Sequence, residues 1–216
     1  MLSVRTVATE LAALGTLALT LPLRPILRHH RHDPHADRLP VLLVHGFLGD
    51  PTNFLVLRTY LAARGVRTFA SFAYGWRLDY QRLALRLGGA IDALRAGTGA
   101  PAVDVVGHSL GGLVARYLLE IAPRTPVRAL VTLGAPYFAS PLPACETAVF
   151  GADDPFIAAP HPLHGPHAAH AARGGRVVLV PHCGHWGLLY HPTVLREVDD
   201  ALREPDAPPL ALSAAS

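Results

Sequence analysis

Lysine is absent from this chain of 216 residues, so every permanently charged cation is an arginine. The arginines are scattered rather than striped and the formal net charge is only +3, which leaves no electrostatic footprint for a nucleic acid. With the high alanine, proline and glycine content, this bias reflects codon composition rather than function. Charge itself is scarce, at 16% of residues, while half of the residues are hydrophobic. That balance excludes an intrinsically disordered chain. Cysteine is nearly missing: Cys145 and Cys183 stand alone, at no metal-ligand spacing. They read either as a disulfide of an exported protein or as two buried free thiols.

A long hydrophobic run is also lacking. Leu11 to Leu23 is almost wholly apolar, but it is too short for a secure membrane span unless it extends from Val4 to Leu27 and tolerates Glu10. No small-x-small cleavage site precedes Arg24 and Arg28, as a signal peptide would require. Residues 4–27 read as a membrane-associated helix, the alternative being a helix docked on the domain's own surface. A membrane-associated or secreted protein is expected, with a cytoplasmic one as the alternative. The His29–His35 stretch after it reads as a solvated linker. The chain thus divides into an N-terminal helix with its linker (1–38), a folded domain (39–204) and a Pro/Ala-rich, disordered tail (205–216).

From Leu39 onward strand-like and helix-like segments alternate. Val41–Val44 is a continuous apolar run, as in a strand buried on both faces. Strands are also expected at 66–72, 103–106, 127–133, 147–150 and 177–180. Helices are expected at 54–64, 80–94, 113–121 and 193–202. This alternation predicts an α/β fold: a six-stranded, mostly parallel sheet covered by helices on both faces. Length suffices for one such domain with a substantial core.

The most informative segment is Gly107-His108-Ser109-Leu110-Gly111, between a strand and a helix. A turn this tight excludes side chains at positions 107 and 111, and Gly112 lets the helix pack close. Ser109 stands at the apex on strained backbone, at the sheet edge where reactive groups collect. The Leu110 N–H opens the helix, where backbone donors lack partners and an anion is favoured.

A serine hydroxyl needs a base, and the base an orienting acid. The loop after the last strand carries His182 and His185, with His191 further on; Gly184 gives His185 the freedom to swing toward the serine. The loop after 147–150 carries Asp153 and Asp154, either of which can serve as the acid, whereas no acid follows Leu133 in Gly-Ala-Pro-Tyr-Phe. The loop His45-Gly46-Phe47 can aim the Phe47 N–H at Ser109, to make a two-donor oxyanion hole with Leu110. His45 reads as a structural histidine beneath that loop. Both cysteines are expected near this same edge of the sheet.

Pro-Val-Leu-Leu-Val-His-Gly-Phe (40–47), Val-Asp-Val-Val-Gly-His-Ser-Leu-Gly-Gly-Leu-Val-Ala-Arg-Tyr (103–117), Val-Thr-Leu-Gly-Ala-Pro (131–136) and Cys-Gly-His-Trp-Gly-Leu-Leu (183–189) resemble the bacterial lipase and esterase branch of the α/β hydrolases. The resemblance covers roughly Leu39 to Arg203. It implies Ser109 as nucleophile, His185 as base and Phe47 and Leu110 as oxyanion donors. It also selects Asp154 as the acid, through the spacing Gly151, Asp154, Ile157. Two departures stand out. Tyr137-Phe138-Ala139-Ser140 replaces a polar run of the family, and the connection that often carries a helical lid is only about a dozen residues long. The domain then resembles the minimal, lidless members with an open site.

The resemblance implies a serine carboxylic-ester hydrolase acting on a small-molecule ester or lipid through an acyl-enzyme, with no metal or organic cofactor. The alternatives are an acyltransferase on the same residues, or a non-catalytic hydrolase-like binding protein. His161, His164, His167 and His170, spaced by three among prolines, could share one face; a surface loop of drifting composition is favoured over a metal site.

Overall fold

A computed structural model describes residues 4–20, 22, 38–75, 79–137, 142–158 and 175–203. The histidine-rich linker, the His161–His170 series and the C-terminal tail lie outside the described residues.

Six parallel strands form the sheet: β1 (Val41–Val44), β2 (Phe69–Phe72), β3 (Val103–His108), β4 (Val127–Leu133), β5 (Glu146–Gly151) and β6 (Arg176–Val180). Their order is β2-β1-β3-β4-β5-β6. Strand order reverses between β1 and β3, whose residues pair from Val41↔Asp104 to Val44↔Gly107. A crevice therefore opens beyond the carboxyl ends of these two strands, where loops leave in opposite directions. The expected strands are all present; β2 is shorter than the expected 66–72 because only Phe69–Phe72 pairs with β1.

The helices are α1 (Val4–Thr20), α2 (Leu55–Ala62), α3 (Tyr80–Thr98), α4 (Leu110–Ile121) and α5 (Pro192–Ala201). Alternate residues of β1 serve the two faces of the sheet. Val41 and Leu43 pack with Leu57 and Leu61 of α2 and Val194 and Val198 of α5. Leu42 and Val44 pack with Leu83, Leu87 and Ile91 of α3 and Val114 and Leu118 of α4. Gly99, with φ of 69°, ends α3 in the left-handed conformation that glycine adopts without strain.

No described helix is long and apolar enough to cross a membrane. Helix α1 lies against the domain, beside the 3₁₀ turns Pro51–Phe54 and Gly187–Leu189. Its orientation inverts the usual pattern of an amphipathic helix. Thr6, Ala13 and Thr20 are buried, whereas Val4, Val7, Leu11, Leu14 and Leu19 are exposed. Polar hydrogen-bonding groups, rather than an apolar stripe, hold it to the domain.

The two thiols sit at opposite edges of the sheet, which corrects the expectation that both lie near the reactive edge. Cys145 immediately precedes β5 and so lies at its amino end; Cys183 follows β6 at the carboxyl end. In a parallel sheet those ends are a strand's length apart. Both thiols are free. Burial, followed by the charge of Glu10, pushes the Cys183 thiol up to about 12, so it stays protonated and inert near neutral pH.

Candidate active site

Ser109 joins β3 to α4 with φ of 51° and ψ of −121°, a conformation costly for a residue with a side chain. Its surroundings enforce it. The Ser109 N–H donates to Leu133 C=O at 2.9 Å, and its own carbonyl accepts from Gly112 N–H at 3.0 Å. A Cβ on Gly107 would stand 2.6 Å from Gly112 N, one on Gly111 would strike the carbonyls of Val44 and His45, and one on Gly112 would stand 2.6 Å from Ala135 Cβ. The helix can leave the strand at this angle only because all three positions are bare.

His185 and Asp154 meet at the same edge. His185 Nδ1 lies 2.7 Å from Asp154 Oδ2, and the Asp154 side chain is fully buried. The other oxygen, Oδ1, accepts the N–H groups of Phe156 at 2.8 Å and Ile157 at 2.9 Å. Both carboxylate oxygens are thus engaged, which fixes the plane of the group. A carboxylate only accepts, so the His185 tautomer that suits this contact carries its proton on Nδ1 and presents Nε2 as a lone pair. Gly134, with φ of 56°, leaves the room: a Cβ there would stand 3.1 Å from His185 Nδ1 and 3.2 Å from Asp154 Oδ2.

His108 underlies the pair. Its Nε2 lies 3.1 Å from the His185 carbonyl, and its ring centroid 4.8 Å from that of His185. Burial, with the neighbouring His185 second, lowers its pKa to about 3. The ring is therefore neutral, Nε2–H donates, and Nδ1 has no hydrogen-bond partner among the described residues.

Ser109, His108 and His185 line a cavity of about 510 Å³ with Phe47, Leu48, Gly49, Phe156 and Trp186. It occupies the β1/β3 crevice. The loop after β1 turns at Gly46, whose carbonyl accepts Gly49 N–H at 3.0 Å. A Cβ on Gly46 would stand 3.0 Å from Ser109 Cβ, so this backbone approaches the serine as closely as packing permits. Leu48, in the same loop, is also held at positive φ, 57°. Leu110, the first residue of α4, has an N–H that the helix itself cannot satisfy.

Residues 84–151 match the sequence model of the alpha/beta hydrolase fold. A triacylglycerol lipase from Pseudarthrobacter phenanthrenivorans is 31% identical over 115 residues, covering 47% of this chain and 34% of that protein. The chain spans about a third of the length of the curated relatives it matches. Among solved structures, lipase B of Aspergillus fumigatus superposes with a TM-score of 0.62 at 17% identity, over 81% of this chain and 55% of that one. An esterase from Thermogutta terrifontis superposes with a TM-score of 0.58 at 15% identity, over 81% and 92%. The fold is that of the α/β hydrolases.

Within this α/β-hydrolase fold the remaining polar residues divide cleanly. Asp153 turns away from His185 and accepts the hydroxyl of Thr6 on α1, with His182 Nδ1 at 4.0 Å. His182 is exposed and at positive φ. His191 caps α5, accepting Thr193 N–H at 3.2 Å. His45 is buried, stacked on Tyr74 at 4.4 Å, and its carbonyl accepts the Tyr74 hydroxyl at 2.5 Å.

Sequence reasoning did not foresee the part taken by α1. Leu17 and Ala18 line the cavity, so the site is roofed on one side by a segment from outside the α/β core. β4 ends at Leu133 and β5 begins at Glu146, so the connection between them is short. The signal available in the sequence was Glu10, the single acid of a helix whose one other charged residue is Arg5.

Proposed function

We propose that the protein hydrolyses carboxylic esters through an acyl-enzyme on Ser109. Ser109 attacks the ester carbonyl while His185 Nε2 takes the hydroxyl proton. The Phe47 and Leu110 N–H groups receive the oxyanion, each donor being worth on the order of 10²–10³ in rate. His185 then protonates the leaving alcohol and afterwards activates the water that frees the acid. Asp154 keeps the proton on Nδ1 and stabilises the imidazolium.

The observation that carries this reading is the buried Asp154–His185 pair on the wall of the cavity that also holds Ser109 on its elbow. The lipase and esterase names among the relatives and neighbours support ester hydrolysis as the reaction class. The leucine and aromatic lining supports an apolar acyl group. The exposed apolar face of α1 reaches the cavity through Leu17 and Ala18, which suits esters presented at a lipid surface.

The test is hydrolysis of p-nitrophenyl esters from acetate to palmitate by wild type and Ser109→Ala, alongside labelling by a fluorophosphonate probe. Activity and labelling are expected in the wild type and lost in the variant. A folded wild type that neither turns over an ester nor reacts with the probe would overturn the proposal.

A further inference from the structure

A carboxylate within an apolar helix must find hydrogen-bond donors or remain in water. On α1, Glu10 finds two. Its Oε1 accepts the Gly187 N–H at 2.7 Å and its Oε2 the Trp186 N–H at 3.1 Å. These are the two peptide groups that follow His185. The cradle fits the carboxylate closely. A Cβ on Gly184 would stand 2.6 Å from Glu10 Cδ, and one on Gly187 would stand 2.7 Å from Oε1. His185 is thus flanked by glycines whose bareness admits Glu10.

One helical turn earlier, on the same face of α1, Thr6 Oγ1 donates to Asp153, the neighbour of Asp154. Asp153 N–H in turn donates to Cys183 C=O at 3.1 Å, linking the two loops directly. A single helix from outside the sheet therefore fastens both loops that bear the acid and the base.

We propose that Glu10 is a positioning residue for His185. Its two charge-assisted bonds fix the 184–187 backbone and hold the imidazole on Asp154. The inference rests on the ester-hydrolase reading for its kinetic consequence, but not for its structural one. Without Glu10, two peptide N–H groups lose their acceptor and the loop is free to shift. A displacement of about 1 Å at a base can cost about 10²-fold in rate.

The experiment uses the full chain with Glu10→Ala and Glu10→Gln. Turnover of p-nitrophenyl acetate is measured, and proton NMR follows the downfield Nδ1–H resonance of His185, assigned by its loss in His185→Gln. Glu10→Ala is expected to lower kcat by about 10²-fold with KM within about twofold, and to lose or broaden the resonance. Glu10→Gln keeps the shape and one acceptor, so its losses should be smaller. If Glu10→Ala fails to fold, Glu10→Gln carries the test alone. Wild-type kcat, or an unchanged resonance, in a cooperatively melting variant would overturn the proposal. A wild type without esterase activity would refute the ester-hydrolase reading instead; the resonance then decides the role of Glu10 by itself.

Discussion

Asp154 meets His185 Nδ1 at 2.7 Å, whereas Asp153, its immediate neighbour, points to Thr6 on helix α1. The two carboxylates thus have different partners, and on the proposed function different tasks. Asp154→Asn presents an amide that can stabilise the wrong imidazole tautomer, and kcat on a short ester should fall by on the order of 10⁴. Asp153→Asn should change kcat far less and act on the docking of α1. Kinetics on both variants check this, and equal losses would contradict the assignment.

Gly134 is the floor beneath that pair. Gly134→Ala would place a methyl 2.9 Å from Leu188 Cδ1 and 3.1 Å from His185 Nδ1, at φ of 56°. The strain should cost about 1–3 kcal/mol, measured by urea unfolding. Activity should fall more than stability explains, because the intruding methyl presses on His185. A variant of unchanged stability and kcat would refute this account of the glycine.

How much of this site was legible in the sequence follows from how local each constraint is. The elbow announces itself because Gly107, Gly111 and Gly112 are demanded within five residues of Ser109. Asp154 and His185 are candidates because a parallel sheet gathers the loops after its strands at one edge, and the structure brings these two side chains together. Between Asp153 and Asp154, though, the residues alone left the choice open. For residues 4–27 the sequence leaves two readings open, a membrane-associated helix and one docked on the domain, because the hydropathy of α1 does not mark its buried face. Its buried face is made of Thr6, Ala13 and Thr20, and its apolar residues face outward. Periodicity reports apolar burial and is blind to a helix held by hydrogen bonds. Cys145 was misplaced for a different reason. Its strand begins one residue later, so it marks the far end of β5 rather than the near one.

The elbow helix depends on a buried ion pair. Arg116 of α4 donates to Glu146 of β5 at 2.6 Å and 3.0 Å, and Thr132 of β4 donates to the same carboxylate at 2.6 Å. The Glu146 side chain is fully buried. Arg116→Met would leave that charge unpaired and should cost about 3–5 kcal/mol. Replacing both partners together with apolar residues should cost less than the single change. Chemical denaturation of the two variants checks the order, and the reverse order would show that the pair itself stabilises the fold.

Stability should also carry the imprint of His108. Its folded-state pKa lies near 3, below the ordinary 6.5, so the unfolded chain binds the proton first as pH falls. The contribution is fully present above pH 6.5 and is lost as pH drops toward 3. The slope for this one group approaches about 1.4 kcal/mol per pH unit. His108→Gln should remove one proton's worth of slope from the unfolding free energy in that window. An unaltered pH profile would mean that His108 is charged in the folded protein.

Leu17 offers the most direct test of the wall that α1 adds to the cavity, because it lines the space beside Ser109 without belonging to the α/β core. Leu17→Trp fills part of that space, and Leu17→Ala enlarges it. If the acyl chain runs along α1, the tryptophan variant should lose activity on p-nitrophenyl palmitate by about tenfold or more relative to acetate. The alanine variant should keep or widen the range of long chains. The acetate reaction acts as the internal control for folding and for the machinery around Ser109. Identical chain-length profiles in both variants would place the acyl chain against the Phe47 side of the cavity and remove α1 from substrate selection.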